Sequence, residues 1–165
     1  MNSIWHSFQK KNDAVIENNS IINYGNASTE LENTGSNTLI VADLSHSGII
    51  HFSGEDASEF LQGQLSCDVT KIDHHTAQYG SCCTPKGRML ASFLVWKNSS
   101  GYFMQLPISL LITLEKRLSM YVMRAKVKLN NDSDKYVRIG VAGSLASEIV
   151  EKIFGASPDP FLGVI

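Results

Sequence analysis

Two cations flank a glycine at Lys86-Gly87-Arg88, directly after Thr84-Pro85 and directly before a nearly unbroken apolar run from Met89 to Trp96. Pro85 presets the first corner of a turn, and Gly87 can take the positive φ that closes a hairpin. Such a tip lays two charged donors beside backbone N–H groups, a chemistry suited to a carboxylate or a phosphate. The competing reading is that both are solvated turn residues, the default for charged loop tips. Asp68, just after a short helical stretch, can accept from the ring amines of a flat heterocycle or can cap the turn that follows it. Gln62 and Gln64 each offer one donor and one acceptor edge, which either a ligand or solvent can use.

Other constellations carry less chemistry. Cys82 and Cys83 are strand neighbours, so their side chains point to opposite faces, and Cys67 is distant in sequence; no metal site is expected. His74-His75 lies in a polar loop without an accompanying cysteine or carboxylate spacing. Neither a Ser-His-Asp nor a Cys-His arrangement can be argued, and Gly-x-Gly-x-x-Gly and Walker-type spacings are missing. No catalytic residue is assigned.

The elements that must position these groups read as follows. Ile4, Trp5, Phe8, Val15 and Ile16 form a helical stripe with Ser3 as its N-cap, and residues 17–38 thin into a polar loop or a poorly paired edge. Leu39–Leu44 and Gly48–Gly54 read as a hairpin, and Ala57, Phe60, Leu61 and Leu65 mark a short helix with acids at its start. Ala77–Cys83, Met89–Lys97 and Tyr102–Leu106 follow as three sequential antiparallel strands. Pro107 opens a helix whose apolar face runs through Leu110, Leu111, Leu114, Leu118, Tyr121 and Val122. Ala125–Leu129 and Tyr136–Ala142 read as strands, and a last helix capped by Ser144 keeps core spacing at Leu145, Ile149, Val150, Ile153 and Phe154. Runs of strands broken by helices give an α+β class, an antiparallel sheet with flanking helices. The expected division is residues 1–38 as an N-terminal helix and loop extension, 39–157 as the main α+β domain, and 158–165 as the truncated start of a following segment.

A 165-residue chain with 43% hydrophobic and 18% charged residues can bury a core without staples. Its net charge of -2 excludes a general phosphate-coating surface, so no DNA partner is expected and any RNA contact must be local. The one basic stripe is Arg124, Lys126 and Lys128. Three cysteines without framework spacing fit a reducing compartment, and neither a secretory leader nor a membrane-length apolar run is visible, so a cytoplasmic location is expected.

Six stretches in register carry a resemblance: Leu44-Ser45-His46-Ser47-Gly48-Ile49-Ile50, Ser53-Gly54-Glu55-Asp56-Ala57, Phe60-Leu61-Gln62-Gly63-Gln64-Leu65, Asp68-Val69, Pro85-Lys86-Gly87-Arg88 and Tyr121-Val122-Met123-Arg124-Ala125-Lys126-Val127. From about Asp43 to Gly155 the chain resembles the N-terminal half of the YgfZ-type folate-binding family, a branch of the glycine-cleavage T-protein (aminomethyltransferase) superfamily. The resemblance implies a ferredoxin-like module that supplies one wall of a tetrahydrofolate pocket, in proteins linked to iron–sulfur cluster assembly or repair and to tRNA modification. Iron–sulfur client proteins or tRNA would then be indirect partners. On that pattern Gln62, Gln64, Asp68, Lys86, Gly87, Arg88 and Arg124 are the candidate folate-binding residues. Ser47 stands where related sequences often carry an aromatic, which thins the stacking wall for a pterin. The family's Lys-Gly-Cys segment belongs to its C-terminal half and is absent here. The aminomethyltransferases place an aspartate where this chain has Ala91 and Ser92, so catalysis of aminomethyl transfer is not expected. The alternatives are a one-carbon transferase that draws its acid from elsewhere, such as Asp68, and a tRNA-binding module.

Overall fold

Gly87 takes φ +79°, and Thr84 closes the turn around it by accepting from Gly87 N at 2.8 Å and donating its own N–H to Arg88 O at 2.8 Å. From this turn the computed structural model, which describes residues 2–18, 20–33, 39–158 and 162–165, builds its central meander. In chain order the elements are α1 (Ser3–Lys11), β1 (Val15–Glu17), β2 (Ser20–Asn23), α2 (Ala27–Asn33), β3 (Ile40–Asp43), β4 (Ser47–Ser53), α3 (Ala57–Gln64) and β5 (Gln78–Cys83). There follow β6 (Met89–Asn98), β7 (Gly101–Pro107), α4 (Ile108–Val122), β8 (Lys128–Asn131), β9 (Ile139–Ala142) and α5 (Ala146–Phe154). The fold is α+β with antiparallel sheets and flanking helices, as expected from the strand and helix pattern.

The described residues form two units. One comprises Ser47–Asp132 and Pro158–Ile165, and holds a five-stranded sheet in the order β5-β6-β7-β4-β8. The period of two is visible along β6, where Ala91, Phe93 and Val95 are buried on one face while Ser92 is exposed on the other. That first face joins Ile50, Phe52, Met104 and Leu106 to α3 and α4 in one core. From α4 come Leu111, Leu114 and Leu118, each almost wholly buried, so truncating any one of them to alanine costs about 2–5 kcal/mol. On the opposite face the Phe103 ring stacks on His51 at 4.5 Å and on Trp96 at 5.7 Å, because the register sets all three side by side. Residues 162–165 run along 75–77: Ala77 N donates to Leu162 O and Val164 N to His75 O, both at 2.8 Å.

The other unit comprises Met1–His46 and Ser133–Ser157. Its sheets are the two-stranded pairs β1-β2 and β3-β9. Asn2 caps α1 by accepting from Ile4 N at 3.0 Å and Trp5 N at 3.2 Å, and Trp5 then reaches Asp43 at the end of β3.

Several sequence expectations are corrected. The first helix ends at Lys11, and Val15-Ile16 belong to β1; Asp13 at φ 60° turns the chain away. Its cap is Asn2 rather than Ser3. The stretch 17–38, expected as a loop or a poorly paired edge, contains β2, which forms a two-stranded pair with β1, and the helix α2, while 19 and 34–38 lie outside the described residues. The expected hairpin of 39–44 with 48–54 does not form: β3 pairs with β9, and β4 lies between β7 and β8. Apolar alternation fixes a strand's faces but not its partner, and both partners come from distant parts of the chain. The next-to-last expected strand starts at Lys128, since 125–127 form a turn. Ser144 does not cap α5, whose cap position is Leu145 with no side-chain bond, and none of the apolar residues of α5 is buried.

Candidate functional site

The cationic tip is held by backbone and one hydroxyl. Besides the two backbone bonds of the turn, Thr84 Oγ1 accepts from Arg88 N at 3.1 Å, so the positions of residues 86–88 do not depend on their side chains. Lys86 and Arg88 are exposed, and neither has an ion-pair partner among the described residues. Two unneutralised donors on a rigid turn are suited to an anionic group arriving from solvent.

Beside the same hairpin lies the loop leaving α3. Ser66 N donates to Ser81 O at 2.9 Å and Ser81 N to Ser66 Oγ at 2.8 Å, which ties residues 65–68 to the outer edge of β5. Gln62 Oε1 accepts from Val69 N at 2.7 Å, so its acceptor is committed to this loop and its amide N–H groups are left for a ligand. Gln64 is half-buried at the end of α3. Asp68 caps the single 3-10 turn Val69–Lys71: its Oδ1 accepts from Thr70 Oγ1 at 2.6 Å and Thr70 N at 3.2 Å, and Lys71 Nζ lies 3.3 Å from Oδ2. The Thr70 hydroxyl above all, with Lys71 behind it, holds the carboxyl below the usual aspartate range. Of the two roles open to Asp68 from sequence, the structure displays the cap. Cys67 packs against Gly80, and burial pushes its thiol up from the usual range, which makes it a poor nucleophile.

A family model described as the GCVT N-terminal domain matches residues 24–161. The chain belongs to this family. Among its relatives, the tRNA-modifying protein YgfZ of Photobacterium profundum is 32% identical over 122 residues, which is 73% of this chain and 36% of that protein. An aminomethyltransferase of Caldanaerobacter subterraneus is 32% identical over 114 residues, 67% of this chain and 30% of that one. The chain thus spans about a third of the length of these curated relatives. In fold it is similar to the glycine cleavage system aminomethyltransferase T of Bartonella henselae, with a TM-score of 0.79 at 14% identity, covering 98% of this chain and 45% of that one.

Within this GCVT N-terminal domain, Ala91 is 3% exposed and faces the core opposite Cys82, whereas Ser92 faces out opposite Ser81. Neither position supplies a carboxylate. Arg124 is exposed in the α4–β8 connection, and no hydrogen bond or ion pair among the described residues joins it to Lys86 or Arg88. Beside it Lys126 Nζ pairs with Glu55 Oε2 at 2.6 Å, and Lys126 N donates to Asp56 Oδ2 at 2.7 Å. Cys82 is buried and Cys83 exposed, on opposite faces of β5, and the described residues contain no group of three metal-ligating side chains. Among the described residues no helix is long and apolar enough to cross a membrane. One contact escaped sequence reasoning altogether: Trp5 Nε1 donates to Asp43 Oδ2 at 2.5 Å across 38 residues.

Proposed function

We infer that this chain is a tetrahydrofolate-binding module of an accessory protein, acting in iron–sulfur cluster assembly or repair and in tRNA modification, and lying in the cytoplasm. The observation that carries the reading is the pair of exposed cations Lys86 and Arg88, without an ion-pair partner among the described residues, on a turn fixed by Thr84. They match the glutamyl carboxylates of a folate, and Gln62 and Gln64 offer amide edges as further polar contacts. The residues present therefore fit the acidic end of the ligand best. The binding domain is taken as residues 39–157.

Aminomethyl transfer is not part of this reading. Ala91 and Ser92 hold no acid, and Asp68, the substitute considered, already accepts from Thr70 and lies beside Lys71. A tRNA-binding role has little support, since Glu55 neutralises the middle of the basic stripe. Calorimetric titration of the purified chain with tetrahydrofolate and its 5-formyl analogue, at two salt concentrations, tests the reading. Micromolar binding supports it, and a well-folded chain that binds neither overturns it for these residues. Formation of methylene-tetrahydrofolate from an aminomethyl donor would overturn the exclusion of transfer.

A further inference from the structure

The N-terminal unit holds a cavity that the folate reading does not use. It measures about 260 Å³ and is walled by Trp5 and Phe8, whose rings stack at 5.2 Å and 16°, with Tyr24, Gln9, Asn12 and Asp43 closing it. All these residues lie in one unit, far in sequence from the Lys86–Arg88 turn. A larger cavity of about 480 Å³ shares Tyr24 and Asp43 with it as lining residues.

The lining is both apolar and addressed. Phe8 is 52% exposed although it forms part of a concave wall, so its ring is open to a second flat surface. Gln9 is 3% exposed and buried at the cavity. Asn12 commits its amide nitrogen to Phe8 O at 2.8 Å, which leaves its carbonyl oxygen as an acceptor. Asp43 accepts from Trp5 Nε1 and Ser45 Oγ on Oδ2, and from Ser45 N on Oδ1. A carboxylate offers about four acceptor positions, so one on Oδ1 is open. The lining contains that one carboxylate and no cation.

We propose that the Trp5–Phe8–Tyr24–Asp43 cavity is a second ligand site, for an uncharged, flat heteroaromatic bearing an exocyclic amine, of the aminopurine nucleoside class. Stacking on Trp5 and Phe8 supplies the apolar contact, which is tolerant of ring identity. The acceptors at Asp43 and Asn12 select for an amine on the ring edge. Phosphorylated forms are disfavoured where an anion would meet Asp43, the charged group of the lining, on which Arg138 from outside the lining also acts electrostatically. The volume falls just below the usual range for drug-sized clefts, which suits a bicyclic base.

The chain has two tryptophans, so Trp96→Phe leaves Trp5 as a reporter inside the proposed wall. Titration of this variant with adenosine, inosine, adenosine 5′-monophosphate and 5-formyl-tetrahydrofolate is read by tryptophan emission, with circular dichroism as the check on folding. Saturable quenching by adenosine is expected, with inosine and the monophosphate at least tenfold weaker, and with a loss of fivefold or more on adding Phe8→Ala to a chain that keeps its dichroism. Absence of saturable quenching by adenosine, equal binding of all three, or an unchanged affinity with Phe8→Ala would overturn the site. Displacement of adenosine by the formyl-folate would overturn its separateness from folate binding, whereas failure of folate binding alone leaves the adenosine result standing as support.

Discussion

Cys67 Sγ stands 2.8 Å from the point where a Cβ on Gly80 would sit, with the Phe93 ring edge 2.7 Å from it on the other side. The loop that carries Asp68 therefore rests directly on the backbone of β5, and a glycine is required beneath it. Gly80→Ala is expected to destabilise the chain by about 1–3 kcal/mol through overpacking. Cys67→Ala in the same chain should recover part of that loss, a coupling visible in urea midpoints of the single and double variants. Strict additivity would show that the two residues do not share this space.

Arg88→Ala should weaken tetrahydrofolate binding by about 1.5–3 kcal/mol if a charge-assisted bond is lost. The turn survives the change, because Arg88 contributes only its backbone to it. Calorimetry alongside a thermal melt checks both parts, and an unchanged affinity in a folded variant removes Arg88 from the site.

The two positions at which transferases of the superfamily place an acid differ sharply in what they tolerate. Ala91→Asp would put a carboxylate among Cys82, Phe93 and the α4 leucines, and is expected to cost more than about 3 kcal/mol. Ser92→Asp, on the exposed face, should stay within about 0.5 kcal/mol of the parent. Denaturant unfolding of the two variants distinguishes them. Equal stabilities would contradict the facing of β6.

Asp68 fixes the sign of an acid response. Its carboxyl titrates lower in the folded chain, chiefly through Thr70, so the native state binds fewer protons there than the unfolded one. Its contribution is thus complete above the unfolded value of about 4 and is lost as the pH falls through the folded value. Asp73, held low first by His75 N, acts in the same direction. Stability measured between about pH 2 and pH 6 should fall on acidification, with a shallower fall for Asp68→Asn. A steeper fall in that variant would reverse the assignment.

Local signals in the sequence proved informative where the partners are near. Pro85 and Gly87 mark the turn, Asn98 to Gly101 mark the next one, and the β5-β6-β7 meander follows, although the apolar run from Met89 to Trp96 did not disclose which face of β6 is buried. Leu111, Leu114 and Leu118 of α4 likewise announce their buried side, while Leu110 and Tyr121, expected on the same face, are exposed. What sequence could not reveal is pairing over distance: Ile40 lies opposite Ala142, and Ile50 has Met104 on one side and Asn131 on the other. Nothing in residues 39–54 distinguishes those partners from each other. The site divides in the same way. The Lys86–Arg88 tip was legible because turn chemistry is local. The tie of the Asp68 loop to β5, through Ser66 and Ser81, depends on how α3 is placed.

The sheet order also sets a schedule for synthesis. β4 sits between β7 and β8, and its residues Ser47 to Ile50 are all buried, yet both of its partners are made later. At typical elongation rates it waits on the order of seconds with two open edges and an apolar face. During that interval the nascent chain offers a template for pairing with any strand nearby, including one from a neighbouring ribosome. Arrival of Gly101–Pro107 ends the first exposure and Lys128–Asn131 the second, so slowing translation between residues 53 and 131 should raise aggregation, while slowing it after Asn131 should not.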